Sequence, residues 1–207
     1  MKALQVAMNA YSQAFRTKLE IAEAMNELCE EMPFSKLKVD TIVGKVGISR
    51  SSFYYHFTDK NAVVSWLTNQ FYQAGIDEIG RTLSWFEGHL FTTCRFQQFQ
   101  ALLTSAEELT DYDAAIPSFV RHRSEVLLET LTQYQHIEAT PLLQFQIRAT
   151  ADIEISMTSS YRNGEFGDMK TKEFCTYLTQ CVPRELFDAL DKPVMPAMST
   201  EGMFFFG

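Results

Sequence analysis

Phe34-Ser-Lys-Leu-Lys-Val-Asp-Thr-Ile-Val-Gly-Lys-Val-Gly-Ile-Ser-Arg-Ser-Ser-Phe-Tyr-Tyr-His-Phe-Thr-Asp-Lys60 packs two helix signals and a tight turn into one short run. The first signal is Val39 to Val46, which places Ile42, Val43 and Val46 on one buried face. Gly47 ends it, because glycine takes a left-handed turn without the steric penalty of a Cβ. Ser49 then stands where a hydroxyl can accept a free amide of the next helix, Arg50 to Phe57. At about 100° per residue, Phe53 and Phe57 share one face of that helix, Ser51 and Tyr55 lie nearly opposite, and Ser52 and Tyr54 flank the outer side.

Before this run, an apolar stripe through Phe15, Leu19, Ala22, Met25 and Cys29 predicts a long helix from Ser12 to Glu31, closed by Pro33. After it, Thr58 and Asp59 can start a fourth helix, whose apolar positions continue through Trp66, Phe71 and Ile76 towards Trp85. Helical periodicity persists over Phe96 to Leu109, Ile116 to Ile137, Pro141 to Arg162, Lys170 to Cys181 and Arg184 to Leu190. No strand alternation is evident, so the expected class is all-α. The expected organisation is a three-helix N-terminal domain over 1–60 with its motif at about 37–56, a helical domain over 61–191, and a tail over 192–207 ending in Met-Phe-Phe-Phe-Gly.

A composition of 46% apolar and 21% charged residues is that of a folded chain and excludes a disordered or fibrous one. No apolar run nears the length of about 20 residues that a membrane span requires, so no membrane partner is expected and the expected place is the cytoplasm, on the nucleoid. Cys29, Cys94, Cys175 and Cys181 lack any paired-cysteine or cysteine–histidine spacing, which predicts free, mostly buried thiols and no metal or other cofactor. The four histidines group with no nucleophile or carboxylate cluster, so no enzyme is expected. The net charge of −8 is unevenly distributed. Residues 1–60 hold eight Lys and Arg against seven Asp and Glu, and the remainder holds ten against nineteen. The acidity therefore belongs to the second part, while a net of +1 over the first is a weak electrostatic signal for DNA, so the motif has to carry that argument.

Three helices of these lengths, joined by these turns, have the proportions of a helix-turn-helix. A rod about 12 Å long, anchored by two phenylalanines and showing hydroxyls outward, suits a major groove that admits one helix. Here the residues resemble the TetR family: Gly47, Ser49, Phe53, Tyr54, His56, Phe57 and Lys60 match its pattern at the right spacing over roughly residues 12 to 66. Lys38, Gly44, Val43 and Val46 depart from it. The resemblance implies that Ser51, Ser52 and Tyr55 face base edges, that Arg50 reaches guanine, and that Tyr54 and Lys60 hold phosphates. It places Lys38 and Thr41 on a flanking phosphate. Tyr54 has a second reading, its ring packed under the helix, and His56, near Phe53 in angle, is either a DNA contact or a half-buried structural residue. Ser49 counts among the DNA-facing positions as well as being the cap.

The resemblance further implies a homodimer on palindromic operator DNA, its mate contacted through Leu142 to Arg162 and Lys170 to Cys181. It also implies an unidentified small-molecule effector held among Trp85, Phe86, His89, Phe99, Phe119, His122 and Arg148. The expected function is thus that of a ligand-responsive regulator, with repression as the family's commoner habit. The alternative is a nucleoid or cell-division factor of the same fold that answers to a protein partner. A deep closed pocket in the second domain favours the first reading, and a filled core favours the second.

Overall fold

The computed structural model describes residues 13–107 and 112–193, and they are helical except for the connecting turns. They fall into two compact units. The first takes in the described residues up to 70 together with 98–107, and the second takes in 71–97 and 112–193. The first unit thus includes residues beyond 60, among them a segment that lies far along the chain.

In the first unit, α1 (Gln13–Glu31) buries Ile21, Ala22, Met25 and Leu28 against α2 (Val39–Val46), which contributes Ile42 and Val43. A 3-10 turn, Phe34–Lys36, joins them. Gly47 closes α2 at φ 79°, its amide donating to the Val43 carbonyl. The Ser49 hydroxyl accepts the Ser52 amide at 3.1 Å and so caps α3 (Arg50–His56), while Asp59 caps α4 (Lys60–Ala74) by accepting the Ala62 amide at 2.9 Å. The additional member is α6 (Gln100–Glu107), which buries Leu102 and Leu103 and lies on α1. Asn26 of α1 accepts the Leu102 amide at 3.0 Å and donates to the Gln98 carbonyl, satisfying an amide that the first turn of any helix leaves free. The Ser105 hydroxyl likewise accepts the Phe34 amide at 2.8 Å.

The fourth helix stops at Ala74, short of the expected continuation through Ile76 towards Trp85. Gly75 holds φ −119° and ψ −98°, and a Cβ there would sit 2.0 Å from the Thr92 hydroxyl oxygen, which instead accepts the Ile76 amide. A 3-10 turn, Ile76–Glu78, and a tight loop follow. The loop contains the one β-type bridge among the described residues, Ile79 to Leu83. The expected helix Phe96 to Leu109 is divided at Phe99 between α5 (Trp85–Gln98) and α6, and Leu109 lies outside the described residues.

The second unit sets α5 with α7 (Tyr112–Glu129), α8 (Pro141–Arg162), α9 (Thr171–Gln180) and α10 (Arg184–Leu190). A π-helical turn, Thr130–Tyr134, prolongs α7. Thr140 caps α8 through the Leu143 amide, and Pro141 sits at the first helical position, where no amide is missed. Trp85, Phe96, Leu127, Leu131, Leu186 and Leu190 form the buried interior. Among the described residues no helix is long and apolar enough to cross a membrane. The expectation of mostly buried thiols needs correction: Cys175 is buried and Cys29 half-buried, but Cys94 and Cys181 are exposed. Cys94 falls on an outward position of α5 and Cys181 just past the end of α9, places that residue type alone does not reveal. Of the tail, Lys192 and Pro193 are described, and Met-Phe-Phe-Phe-Gly lies outside the described residues.

Candidate DNA-binding interface

α3 is held from beneath. Phe53 is wholly buried, Phe57 nearly so, and their ring centroids are 6.1 Å apart, with Phe57 also edge-on to Trp66. The opposite side is open: Tyr55 is 83% exposed and Tyr54 48%, and Ser49, Arg50 and Ser51 are exposed too. Tyr54 lies edge-on to Phe53, so its ring packs at the helix flank while about half its surface meets solvent. His56 is half-buried, and its ring meets the Tyr55 ring edge-on at 5.0 Å. Ser52 is half-buried, its amide spent on the cap. The Ser49 and Ser51 hydroxyls bond each other at 2.8 Å. Lys38 and Thr41 are exposed around the start of α2, and Lys38 makes no side-chain cap there.

Lys60, expected on a phosphate, has backbone partners within the chain. Its ammonium donates to the carbonyls of Phe34 at 2.6 Å, Leu37 at 3.0 Å and Ser35 at 3.4 Å, and it lies over the Phe34 ring. A lysine has three donors, and these three carbonyls take them all. Lys60 fastens the turn between α1 and α2 to the start of α4. Sequence reasoning also passed over Asp40, which pairs with Arg50 across the two helices.

Of the seven residues expected around an effector, Phe99 belongs to the first unit and the other six to the second. His122 pairs with Asp77 at 3.0 Å with half its side chain exposed, and Arg148 pairs with Asp152 one turn along an exposed face of α8. Phe86 lies against Phe174, Cys175 and Leu178, Trp85 is core, and Phe119 meets Tyr72 edge-on. His89 lines a cavity, together with Tyr72, Thr92, Thr93, Glu154 and Thr158 among others. Its volume is about 10 Å³, room for one water.

Beside that cavity lies a buried ionic network. Glu154 accepts two hydrogen bonds from Arg123, at 2.6 and 3.0 Å, and lies 2.8 Å from His89 Nε2, while His89 Nδ1 lies 2.9 Å from the Thr179 hydroxyl. Arg123 donates its remaining terminal nitrogen to the Ile76 carbonyl at 2.6 Å. Burial alone would push the Glu154 carboxyl up, but the Arg123 charge and the hydrogen bonds from His89 and Arg123 reverse that and hold it at about 2. Glu154 and Arg123 were not legible as partners in the sequence, since they stand 31 residues apart on different helices.

Residues 21–65 match the model of a family described as "Bacterial regulatory proteins, tetR family". No curated protein matches the chain in sequence. Among solved structures, "Dihydroxyacetone kinase operon activator DhaS" is similar, with a TM-score of 0.62 and 15% identity over 85% of this chain and 98% of that one, a likeness of fold. The segment that matches the tetR family of bacterial regulatory proteins, residues 21–65, is the one that presents α2, the Gly47 turn and α3.

Proposed function

We propose that the chain is a dimeric transcriptional regulator that lays α3 of each protomer in successive major grooves of a palindromic operator. The observation that carries this reading is the polarity of α3: two phenylalanines bury one side, and Tyr55 stands almost wholly in solvent on the other. In this reading Ser51, Ser52 and Tyr55 meet base edges, Arg50 reads guanine, and Tyr54, Lys38 and Thr41 hold phosphates, which fix register without carrying sequence. One such helix spans too few base pairs to select a site, so two, at half-sites about 34 to 36 Å apart, are required. Leu142 (55% exposed), Phe145 (73%) and Tyr177 (48%) on α8 and α9 supply apolar surface for the mate. Selection from random duplexes by the purified full chain tests the proposal. Enrichment of a palindrome bound by two chains supports it, and enrichment of no sequence overturns it.

Repression released by an effector is the second part of the proposal. An effector that binds the DNA-free form better lowers operator affinity by its differential affinity and no more. The His89 cavity supports a small polar effector only if the unit opens to admit it. The other reading is a protein partner in place of a small molecule. Fractionated cell extract added to the operator complex separates the two. Release by a low-mass, heat-stable fraction supports a small effector, and release by a protease-sensitive fraction alone supports a protein.

A further inference from the structure

An aspartate on the face that meets a duplex repels phosphates, and Asp40 is such a residue. Its Oδ1 accepts a hydrogen bond from Arg50 Nη1 at 2.5 Å, and both side chains are more than half exposed. The Arg50 guanidinium also lies 5.9 Å from the centre of the Tyr54 ring. Arg50 is the first residue of α3, and the N-terminal residues of a recognition helix are the ones that reach base edges. An arginine has five N–H donors in a rigid fork. With one donor on Asp40 and a further side-chain hydrogen bond to Tyr54, three of the five remain, enough for the two that match O6 and N7 of guanine.

We propose that Asp40 is a positioning residue for base recognition: it holds Arg50 so that the remaining donors of the guanidinium read a guanine in each half-site rather than folding onto a phosphate. This inference rests on the DNA-binding reading above. A purely structural role for Asp40 also exists, because a carboxylate in the first turn of α2 stabilises the free amides there. The two roles differ in what they move. The structural role changes stability, whereas the positioning role changes which base is preferred.

The test uses the full chain with Asp40→Asn, Arg50→Ala and the double variant. It measures melting temperature, affinity for the selected site and for the same site with each guanine replaced, and affinity for random duplex. With Asp40→Asn, preference for one guanine per half-site falls roughly 5- to 10-fold, within the range that a bidentate arginine–guanine pair contributes. Affinity for random duplex holds or rises, since a negative charge has been removed. Arg50→Ala abolishes the preference, and adding Asp40→Asn to it changes nothing further. An Asp40→Asn chain that keeps the same guanine at the same ratio overturns the proposal, as does a consensus in which no base depends on Arg50. In both cases the wild type still selects a palindrome, so the parent reading survives. A wild type that enriches no sequence overturns both.

Discussion

Lys38 and Lys60 show how little residue type says about role. Both are lysines of the helix-turn-helix, yet one reaches into solvent and the other has all three donors on backbone carbonyls. Lys38→Ala is expected to reduce the salt dependence of DNA binding by about one phosphate contact while leaving stability unchanged. Lys60→Ala is expected to cost ~1–3 kcal/mol of stability, because three carbonyls lose their charged partner, with no change in the salt slope. Urea titration and affinity measured across a salt series separate the two outcomes. Glu154 makes a sharper case. Its folded-state value of about 2 lies below the ordinary 4.5, so its contribution is fully present above pH 4.5 and is lost as the pH falls from there towards 2. Glu154→Gln removes the charge that Arg123 faces in a buried site, and a loss of roughly 3–5 kcal/mol is expected at neutral pH, most of it gone by pH 2. Equilibrium unfolding of both chains across that range checks the sign: a gap that widens in acid would refute the assignment.

At the level of elements, the helix boundaries that were legible are those written in local chemistry. Gly47 at φ 79° and Ser49 with its hydroxyl on the Ser52 amide mark the turn before α3, and both signals lie within three residues of what they control. Gly47→Ala is expected to cost ~1–2 kcal/mol for the left-handed backbone, and Ser49→Ala ~1 kcal/mol for the lost cap. Denaturant midpoints measure both, and operator affinity should fall with them, since the same turn aims α3. What could not be read depends on contacts between distant helices. Asn26 serves an amide 76 residues away, and His89 meets Glu154 across 65. The break at Gly75 follows from a hydroxyl on α5, whereas the apolar pattern on either side continues through it. Aromatic or polar character marks a residue as a candidate for an effector site, and character does not fix direction. That is why Arg148 and His122 are found at the surface and Phe99 in the other unit.

For the molecule as a whole, one prediction concerns assembly. Phe145 is 73% exposed near the start of α8, and such a ring is costly to leave in water. Under the proposed pairing through α8, Phe145→Asp is expected to raise the dissociation constant of the dimer at least tenfold, because burying a carboxylate without a partner is unfavourable. Light scattering over a dilution series reads this directly, and an unchanged mass at every concentration would remove α8 from the interface. The Arg123–Glu154–His89 network has a consequence of another kind. Mobile ions weaken exposed pairs such as Lys45–Glu27 and every lysine–phosphate contact, but they do not enter an interior where Glu154 is 3% exposed. Raising the ionic strength should therefore strip the protein from nucleic acid while the second unit keeps its fold, so that washing at high salt returns a chain still competent to bind when the salt is withdrawn.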